Sequence, residues 1–127
     1  MVHMDLNEKT GLILFAHGSR DPQWRLPFEA ILRQTQAHHP GPVALAFLEC
    51  MDPDLAGAIA DMASKHVESI RVIPVFLAVG SHVRQDLPRL INQAQEEHPG
   101  INIFTTTAIG EQPDIQRAIA MFALSKP

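Results

Sequence analysis

Two histidines each follow an apolar run of the chain, and this placement indicates a metal site. His17 comes directly after the apolar residues 11–16, and His82 stands just past the apolar run 72–79. Neutral imidazole is a common ligand of borderline divalent ions such as cobalt, nickel, iron and zinc. Two converging imidazoles would form a partial coordination set with open positions.

A carboxylate ends a third apolar run, since Glu49 follows residues 43–48. With the two histidines it would make a three-group set, which suits a site that hands its metal on rather than retaining it. The opposing interpretation is that His17 packs at a strand end and His82 only begins a helix. The other histidines are expected to be solvated or to end helices, where positive charge is favourable.

Short apolar runs alternate with amphipathic helical stretches along the chain, in the order βαβαβαβα. Strands are predicted at 11–16, 43–48, within 69–79 and at 101–106, and Asp-Pro pairs at 21–22 and 52–53 mark two helix starts. Strict alternation predicts a three-layer αβα fold with a four-stranded parallel sheet and right-handed crossovers. In the flavodoxin-like order 2-1-3-4, the first and third strands are neighbours about 4.8 Å apart. His17 and His82 can then reach a common point.

The later elements carry three further expectations. The helix after His82 should run to about Glu97, with Pro88 in its first turn because an interior proline removes a main-chain hydrogen bond. Cys50 is expected to be a small core residue. The last helix should carry Ile115, Ala118, Ile119 and Phe122 on one apolar side.

Length and composition predict one soluble domain. The 127 residues are 46% hydrophobic, enough to bury roughly two thirds of the unfolded surface, with residues 1–10 as a flexible lead-in and 11–127 as the domain. One cysteine and no apolar stretch of transmembrane length favour a cytoplasmic protein without a membrane partner. A net charge of −4 with scattered charges argues against binding to nucleic acid.

Three motifs together resemble the small sirohydrochlorin chelatases, the CbiX and SirB group of class II chelatases. They are Ala-His-Gly-Ser-Arg at 16–20, Phe-Leu-Glu at 47–49 and Ile-Pro-Val-Phe-Leu-Ala-Val-Gly-Ser-His-Val-Arg-Gln-Asp-Leu-Pro at 73–88. The resemblance extends from Leu12 to Phe122. The third motif is its most specific part.

The resemblance implies that a divalent metal is inserted into the tetrapyrrole sirohydrochlorin. The metal would be cobalt in cobalamin biosynthesis or iron in sirohaem biosynthesis. Nickel is a further candidate, because a related enzyme uses nickel at a similar site. The family's metal-binding histidines map onto His17 and His82, and its acidic helper maps onto Glu49, which would assist proton removal. The metal is a substrate, and no organic cofactor is expected. Longer chelatases fuse two such domains, so a single domain implies a homodimer.

The carboxylates of sirohydrochlorin require cationic and hydrogen-bonding partners. The expected substrate-binding residues lie on the two histidine loops and are Ser19, Arg20, Ser81 and Arg84. The two arginines are equally well explained as helix-start residues that pair with Asp21 and Asp86. We expect Asp86 to cap or orient the following helix, with a contact to the His82 imidazole as the less favoured role.

Other functions fit the motifs less well. Histidine phosphatases carry an arginine immediately before the catalytic histidine, and Ala16 occupies that position here. A nucleophilic Ser19 lacks the Gly-x-Ser-x-Gly turn that exposes such a serine. The serious alternative is a non-catalytic protein of the same fold that stores or delivers cobalt or nickel.

Overall fold

A four-stranded parallel sheet organises residues 6–126, the part of the chain that the computed structural model describes. Its strands are β1 (Thr10–Ala16), β2 (Val43–Phe47), β3 (Ser69–Pro74) and β4 (Asn102–Thr105). They lie in the order β2-β1-β3-β4, and each neighbouring pair is parallel. The predicted order 2-1-3-4 is confirmed.

Four α-helices accompany the sheet. They are α1 (Leu26–His38), α2 (Leu55–Ala63), α3 (Ser81–Glu97) and α4 (Pro113–Leu124), with short 3-10 turns at Pro22–Arg25 and Ile109–Glu111. Side chains of α1 pack on one face of the sheet, and those of α2 and α3 pack on the other, which gives three layers. None of these helices within residues 6–126 is long and apolar enough to cross a bilayer.

The central strand β1 is buried along its whole length, as its apolar sequence predicts. Ile13 and Phe15 belong to the core shared with α2 and α3. Leu14 and Ala16 belong to the core on the α1 side. Truncating a buried phenylalanine such as Phe15 to alanine typically costs about 3–5 kcal/mol. The strand that ends at His17 is therefore firmly anchored.

Aspartate side chains cap two helical segments. Asp21 accepts a hydrogen bond from the Gln23 N–H at 3.0 Å, at the start of the first 3-10 turn. The cap of α2 is Asp54, which accepts from the Gly57 N–H at 2.8 Å. The second helix thus begins two residues after the predicted Asp-Pro pair at 52–53. Such a cap contributes about 1 kcal/mol.

One expectation for the region around His82 is wrong, namely that Pro88 lies in the first turn of the helix. The strand predicted within 69–79 is β3, which ends at Pro74, and residues 75–80 form the loop that leads to His82. The helix α3 starts at Ser81 and includes Pro88 in its interior. Proline leaves the carbonyl of Arg84 without its helical partner, and Pro88 lies on the exposed side of the helix.

The predicted apolar side of α4 is largely exposed. The exposed fractions are 46% for Ile119, 61% for Met121, 81% for Phe122 and 79% for Leu124. The helix packs mainly against the preceding 3-10 turn instead of the sheet. Its sequence period identified an apolar side, but periodicity does not specify what covers that side.

The N-terminal lead-in is described only in part. Residues 1–5 lie outside the described residues. Residues 6–9 are exposed, whereas Thr10, which we assigned to the lead-in, begins β1 and is buried. The oxygen of its main-chain carbonyl lies 2.7 Å from Nε2 of His39, which ties the beginning of the sheet to the end of α1.

Candidate metal centre

The pairing of β1 with β2 continues past the last residues of both strands. The Leu48 N–H donates to the Ala16 carbonyl at 2.9 Å, and the Glu49 N–H donates to the His17 carbonyl at 3.1 Å. These bonds extend the parallel ladder to the carboxyl edge of the sheet. His17 and Glu49 therefore lie side by side because of their main chains.

The loop that follows His17 passes very close to Glu49. Gly18 has a φ of 95°, a conformation that side-chain-bearing residues rarely adopt. A Cβ atom at this position would overlap the Glu49 carbonyl oxygen. Only glycine fits here without a shift of one of the two segments.

The side chains of the pair are in contact. Nε2 of His17 lies 3.1 Å from Oε1 of Glu49, with side-chain exposures of 53% and 59%. An ion pair this exposed contributes only about 0–1 kcal/mol, so the fold rather than the pair maintains the spacing. Phe76 stands edge-on to the His17 ring at 6.2 Å and to Phe15 at 5.8 Å, which limits how the imidazole can turn.

His82 lies in the first turn of α3 and contacts a different carboxylate. Its Nε2 is 2.9 Å from Oδ2 of Asp86, one helical turn later. The other oxygen of Asp86 accepts from Arg89 at 3.0 Å. The contact of Asp86 with the His82 imidazole, which is the less favoured of the two roles expected from sequence, is present. The favoured capping role is not observed, since no side chain caps α3 at Gly80.

Both histidines line one cavity of about 670 Å³. Its polar lining is His17, Glu49, His82 and Asp86, and its larger apolar residues are Leu48, Phe76, Val79 and Val83. A water molecule takes about 30 Å³ of liquid volume. The cavity therefore has room for part of an organic molecule as well as an ion.

The loop 75–80 that forms one wall of this cavity is fixed on two sides. The Val75 N–H donates to the Phe15 carbonyl at 2.7 Å, and the Gly110 N–H donates to the Phe76 carbonyl at 3.0 Å. A Cβ atom at Gly110 would overlap the main chain of Leu77. The connection between β4 and α4 thus supports the wall that leads to His82.

The three expected metal-binding groups share the cavity without forming a finished ligand set. Between residues 6 and 126, no group of three or more histidine, cysteine, aspartate or glutamate residues is arranged to hold an ion. His17 and Glu49 form a close pair, while His82 is engaged by Asp86. An ion bound by all three residues requires His82 to move towards the pair.

Of the expected substrate-binding residues, Ser19 and Arg20 lie on the loop after β1, whereas Ser81 and Arg84 lie in the first turn of α3, and none of the four is among the residues that line the cavity. The hydroxyl oxygen of Ser19 accepts from the Asp21 N–H at 3.1 Å, and the guanidinium of Arg84 donates to the Val79 carbonyl at 3.0 Å. Arg20 and Ser81 are exposed. The alternative pair of Arg84 with Asp86 is not formed, because Asp86 binds His82 and Arg89 instead.

Cys50 is exposed, so the expectation of a core cysteine is wrong. The main chain turns sharply after β2, with a φ of 67° at Cys50 and a hydrogen bond of 2.8 Å from the Met51 N–H to the Glu49 carbonyl. This turn takes residue 50 off the ladder that holds Glu49. The apolar pattern of the strand before Cys50 contains no signal for this turn.

A family model described as CbiX matches residues 11–122, which is most of the chain. The chain belongs to the CbiX family. This membership agrees with the motifs at 16–20, 47–49 and 73–88 and with the placement of all three around one cavity.

Proteins named sirohydrochlorin cobaltochelatase are similar to this chain in sequence. A sirohydrochlorin cobaltochelatase of Methanothermobacter thermautotrophicus is 37% identical over 95 residues, which are 71% of this chain and 65% of that protein. A protein of the same name from Methanococcoides burtonii is 33% identical over 96 residues, covering 75% of this chain and 73% of that protein. The chain thus matches about two thirds to three quarters of the length of these relatives.

Solved CbiX and SirB structures share the fold. A protein described as CbiX of cobalamin (vitamin B12) biosynthesis, from Marinobacter aquaeolei VT8, has a TM-score of 0.80 at 33% identity and covers 90% of this chain and 93% of its own. The sirohydrochlorin chelatase SirB from Bacillus subtilis subspecies spizizenii, solved with cobalt, has a TM-score of 0.76 at 25% identity. It covers 91% of this chain but only 50% of its own. This CbiX-family chain therefore corresponds to half of SirB.

Proposed function

We propose that this protein inserts a divalent metal ion into sirohydrochlorin, with cobalt as the first candidate and iron or nickel as further substrates. The observation that carries the proposal is the contact between His17 and Glu49 in a cavity that His82 also lines. The cobaltochelatase names of the relatives and the cobalt-bound SirB structure support the same chemistry. The product would serve cobalamin or sirohaem biosynthesis.

The spacing of His17 and Glu49 suits a metal ion. When two ligand atoms lie about 2.1 Å from an ion and at right angles to each other, they are about 3.0 Å apart. The observed distance from Nε2 to Oε1 is 3.1 Å. An ion can therefore replace the proton between these atoms without a main-chain shift. Imidazole and carboxylate together suit borderline divalent ions.

His82 would supply the third group from the opposite wall. It lies on the first turn of α3, directly after the loop 75–80, and 86% of its side chain is exposed. A side chain this open can turn towards an incoming ion at little packing cost. With three ligands bound, the ion keeps positions for water and for the entering ring nitrogens, so it remains transferable.

Proton removal would fall to Glu49. Insertion of a divalent ion into the macrocycle forms bonds to the central nitrogens and releases two pyrrole N–H protons. Glu49 and the histidines are freed as the ion moves from the protein to the ring, so the Glu49 carboxylate can accept one of the two protons and a released imidazole can accept the other. Its exposure of 59% allows that proton to pass on to water.

The walls of the cavity would hold the macrocycle itself. Leu48 and Phe76 offer an apolar surface for the face of the ring. Its carboxylates would reach the loop after β1 and the first turn of α3, where Arg20 and Arg84 can form charge-assisted hydrogen bonds. Ser19 and Ser81 would add neutral hydrogen bonds, as the motifs imply.

We also propose that the working unit is a homodimer. The chain corresponds to half of SirB, and the exposed apolar residues of α4 offer a surface that a second copy can cover. The two halves would then enclose the macrocycle between them. A cytoplasmic location is part of the same proposal, based on the single cysteine and on the biosynthetic role.

An anaerobic insertion assay tests the proposed function. The protein is mixed with sirohydrochlorin and Co(II), Fe(II) or Ni(II), and the absorption spectrum of the macrocycle is followed against protein-free controls at the same metal concentration. We expect a catalysed spectral change that is fastest with Co(II). Tight metal binding with no rate enhancement for any of the three ions would contradict the proposal and indicate a metal carrier.

A further inference from the structure

The cavity contains a carboxylate that the proposed mechanism does not use. Asp86 is the least exposed member of a side-chain row, at 25%, between His82 at 86% and Arg89 at 73%. Each of its oxygens has its own partner, at 2.9 Å for His82 and 3.0 Å for Arg89. The row lies within two turns of α3, so it depends on no other element.

The contact with Asp86 determines which nitrogen of His82 carries the hydrogen. An ionised carboxylate only accepts hydrogen bonds, so Nε2 of a neutral His82 must bear the N–H at this distance. The lone pair is then on Nδ1. Histidines that bind metals usually donate the N–H of the other ring nitrogen to a carboxylate, a carbonyl or water, and this fixes both tautomer and ring orientation.

We propose that Asp86 is a positioning residue that selects Nδ1 of His82 as its metal-binding nitrogen. The inference rests on the proposed function, because it assumes that His82 is a metal ligand. His17 differs because the carboxylate that its Nε2 faces belongs to Glu49, which is itself a proposed ligand of the ion. The site would thus bind the ion through Nε2 of one histidine and Nδ1 of the other.

Arg89 completes the arrangement. Its guanidinium engages Oδ1 of Asp86, which leaves Oδ2 for the imidazole. With both oxygens occupied, Asp86 is kept from binding the ion itself. The carboxylate then orients His82 when the first turn of α3 approaches the His17 and Glu49 pair.

NMR of protein labelled with ¹⁵N-histidine tests the nitrogen assignment directly. Long-range ¹H–¹⁵N correlations, recorded where His82 is neutral, should show the Nε2–H tautomer in the metal-free protein. Addition of Zn(II), used as a diamagnetic probe, should shift the Nδ1 resonance of His82. In Asp86→Ala the two tautomers should mix, and the affinity for Co(II) should fall by about 10-fold to 100-fold. Asp86→Asn keeps an oxygen acceptor and should retain more of the affinity.

An Asp61→Ala control separates positioning from a general loss of charge. It removes a similar helical ion pair with Lys65 on α2 and leaves Asp86 with both of its partners. This variant should bind Co(II) within about 3-fold of the wild type, as expected for the loss of an exposed ion pair. A Zn(II)-induced shift at Nε2 of His82, or an unchanged Co(II) affinity in Asp86→Ala, would overturn the proposal. Neither measurement uses sirohydrochlorin, so a wild type that binds through Nδ1 without inserting metal would contradict only the proposed function.

Discussion

Replacing Gly18 by alanine tests whether the main chain sets the spacing of the metal centre. The new Cβ would overlap the Glu49 carbonyl oxygen, and φ at this residue is 95°. Holding a side-chain-bearing residue in such a conformation costs about 1–3 kcal/mol, and forcing extra atoms into a packed position costs about 1–3 kcal/mol more. We therefore expect the free energy of unfolding to fall by roughly 2–6 kcal/mol.

Urea unfolding measures this loss. With a slope of about 1.5–2 kcal/mol per molar urea, the midpoint should fall by roughly 1–4 M. Relief of the overlap would push residue 49 away from residue 17 and lengthen the hydrogen bond between them, now 3.1 Å. The folded Gly18→Ala protein should therefore bind Co(II) more weakly than the wild type. This binding is measured from the absorption bands of the bound ion.

A matched glycine provides the control. A Cβ atom at Gly100 would meet no atom within 4 Å, and this residue is remote from the cavity. Gly100→Ala should stay within about 1 kcal/mol of the wild type and keep its Co(II) affinity. If Gly18→Ala matched Gly100→Ala in both stability and Co(II) binding, the argument that Gly18 secures the pair would be refuted.

Four further substitutions and one control test the site and the assembly. His17→Ala and His82→Ala should each abolish insertion while leaving the urea midpoint within about 0.5 M, because both side chains are exposed; two variants with normal turnover would show that the centre lies elsewhere. Glu49→Gln should slow insertion more than it weakens Co(II) binding, since the amide cannot accept the proton, and equal losses would identify Glu49 mainly as a ligand. Phe122→Asp places a charge on the exposed apolar side of α4 and should shift the sedimentation of the protein from dimer towards monomer. Arg117→Asp, on the same helix, is the control for the change of charge. A wild-type protein that is a fully active monomer would contradict the proposal that two copies share the cleft.

The sheet order and the meeting of residues 17 and 49 were accessible from sequence for a physical reason. Alternating strands and helices with short connections allow few parallel arrangements, and the order 2-1-3-4 places the ends of β1 and β2 next to each other. His17 and Glu49 follow those ends almost directly. Their contact is a consequence of strand pairing, which the pattern of apolar runs encodes.

Features that depend on contacts between distant segments were not accessible. The period of α4 indicated an apolar side, but only the structure shows that Phe122 is exposed. The outward turn at Cys50 depends on a left-handed main-chain conformation at a residue other than glycine or asparagine, for which the sequence has no marker. In contrast, the contact between His82 and Asp86 could be predicted, because residues four apart on a helix are neighbours. On sequence alone, a capping role for Asp86 is favoured over this contact.

Because hydrogen bonds of the main chain hold positions 17 and 49 together, their separation does not depend on the side chains at those positions. The protein is therefore suited to redesign of its metal preference by ligand exchange. A thiolate introduced by Glu49→Cys would favour softer ions, and an imidazole introduced by Glu49→His would favour nitrogen-seeking ones, on an unchanged backbone. Selectivity in this scaffold becomes a matter of which donor atoms are displayed at two neighbouring strand ends.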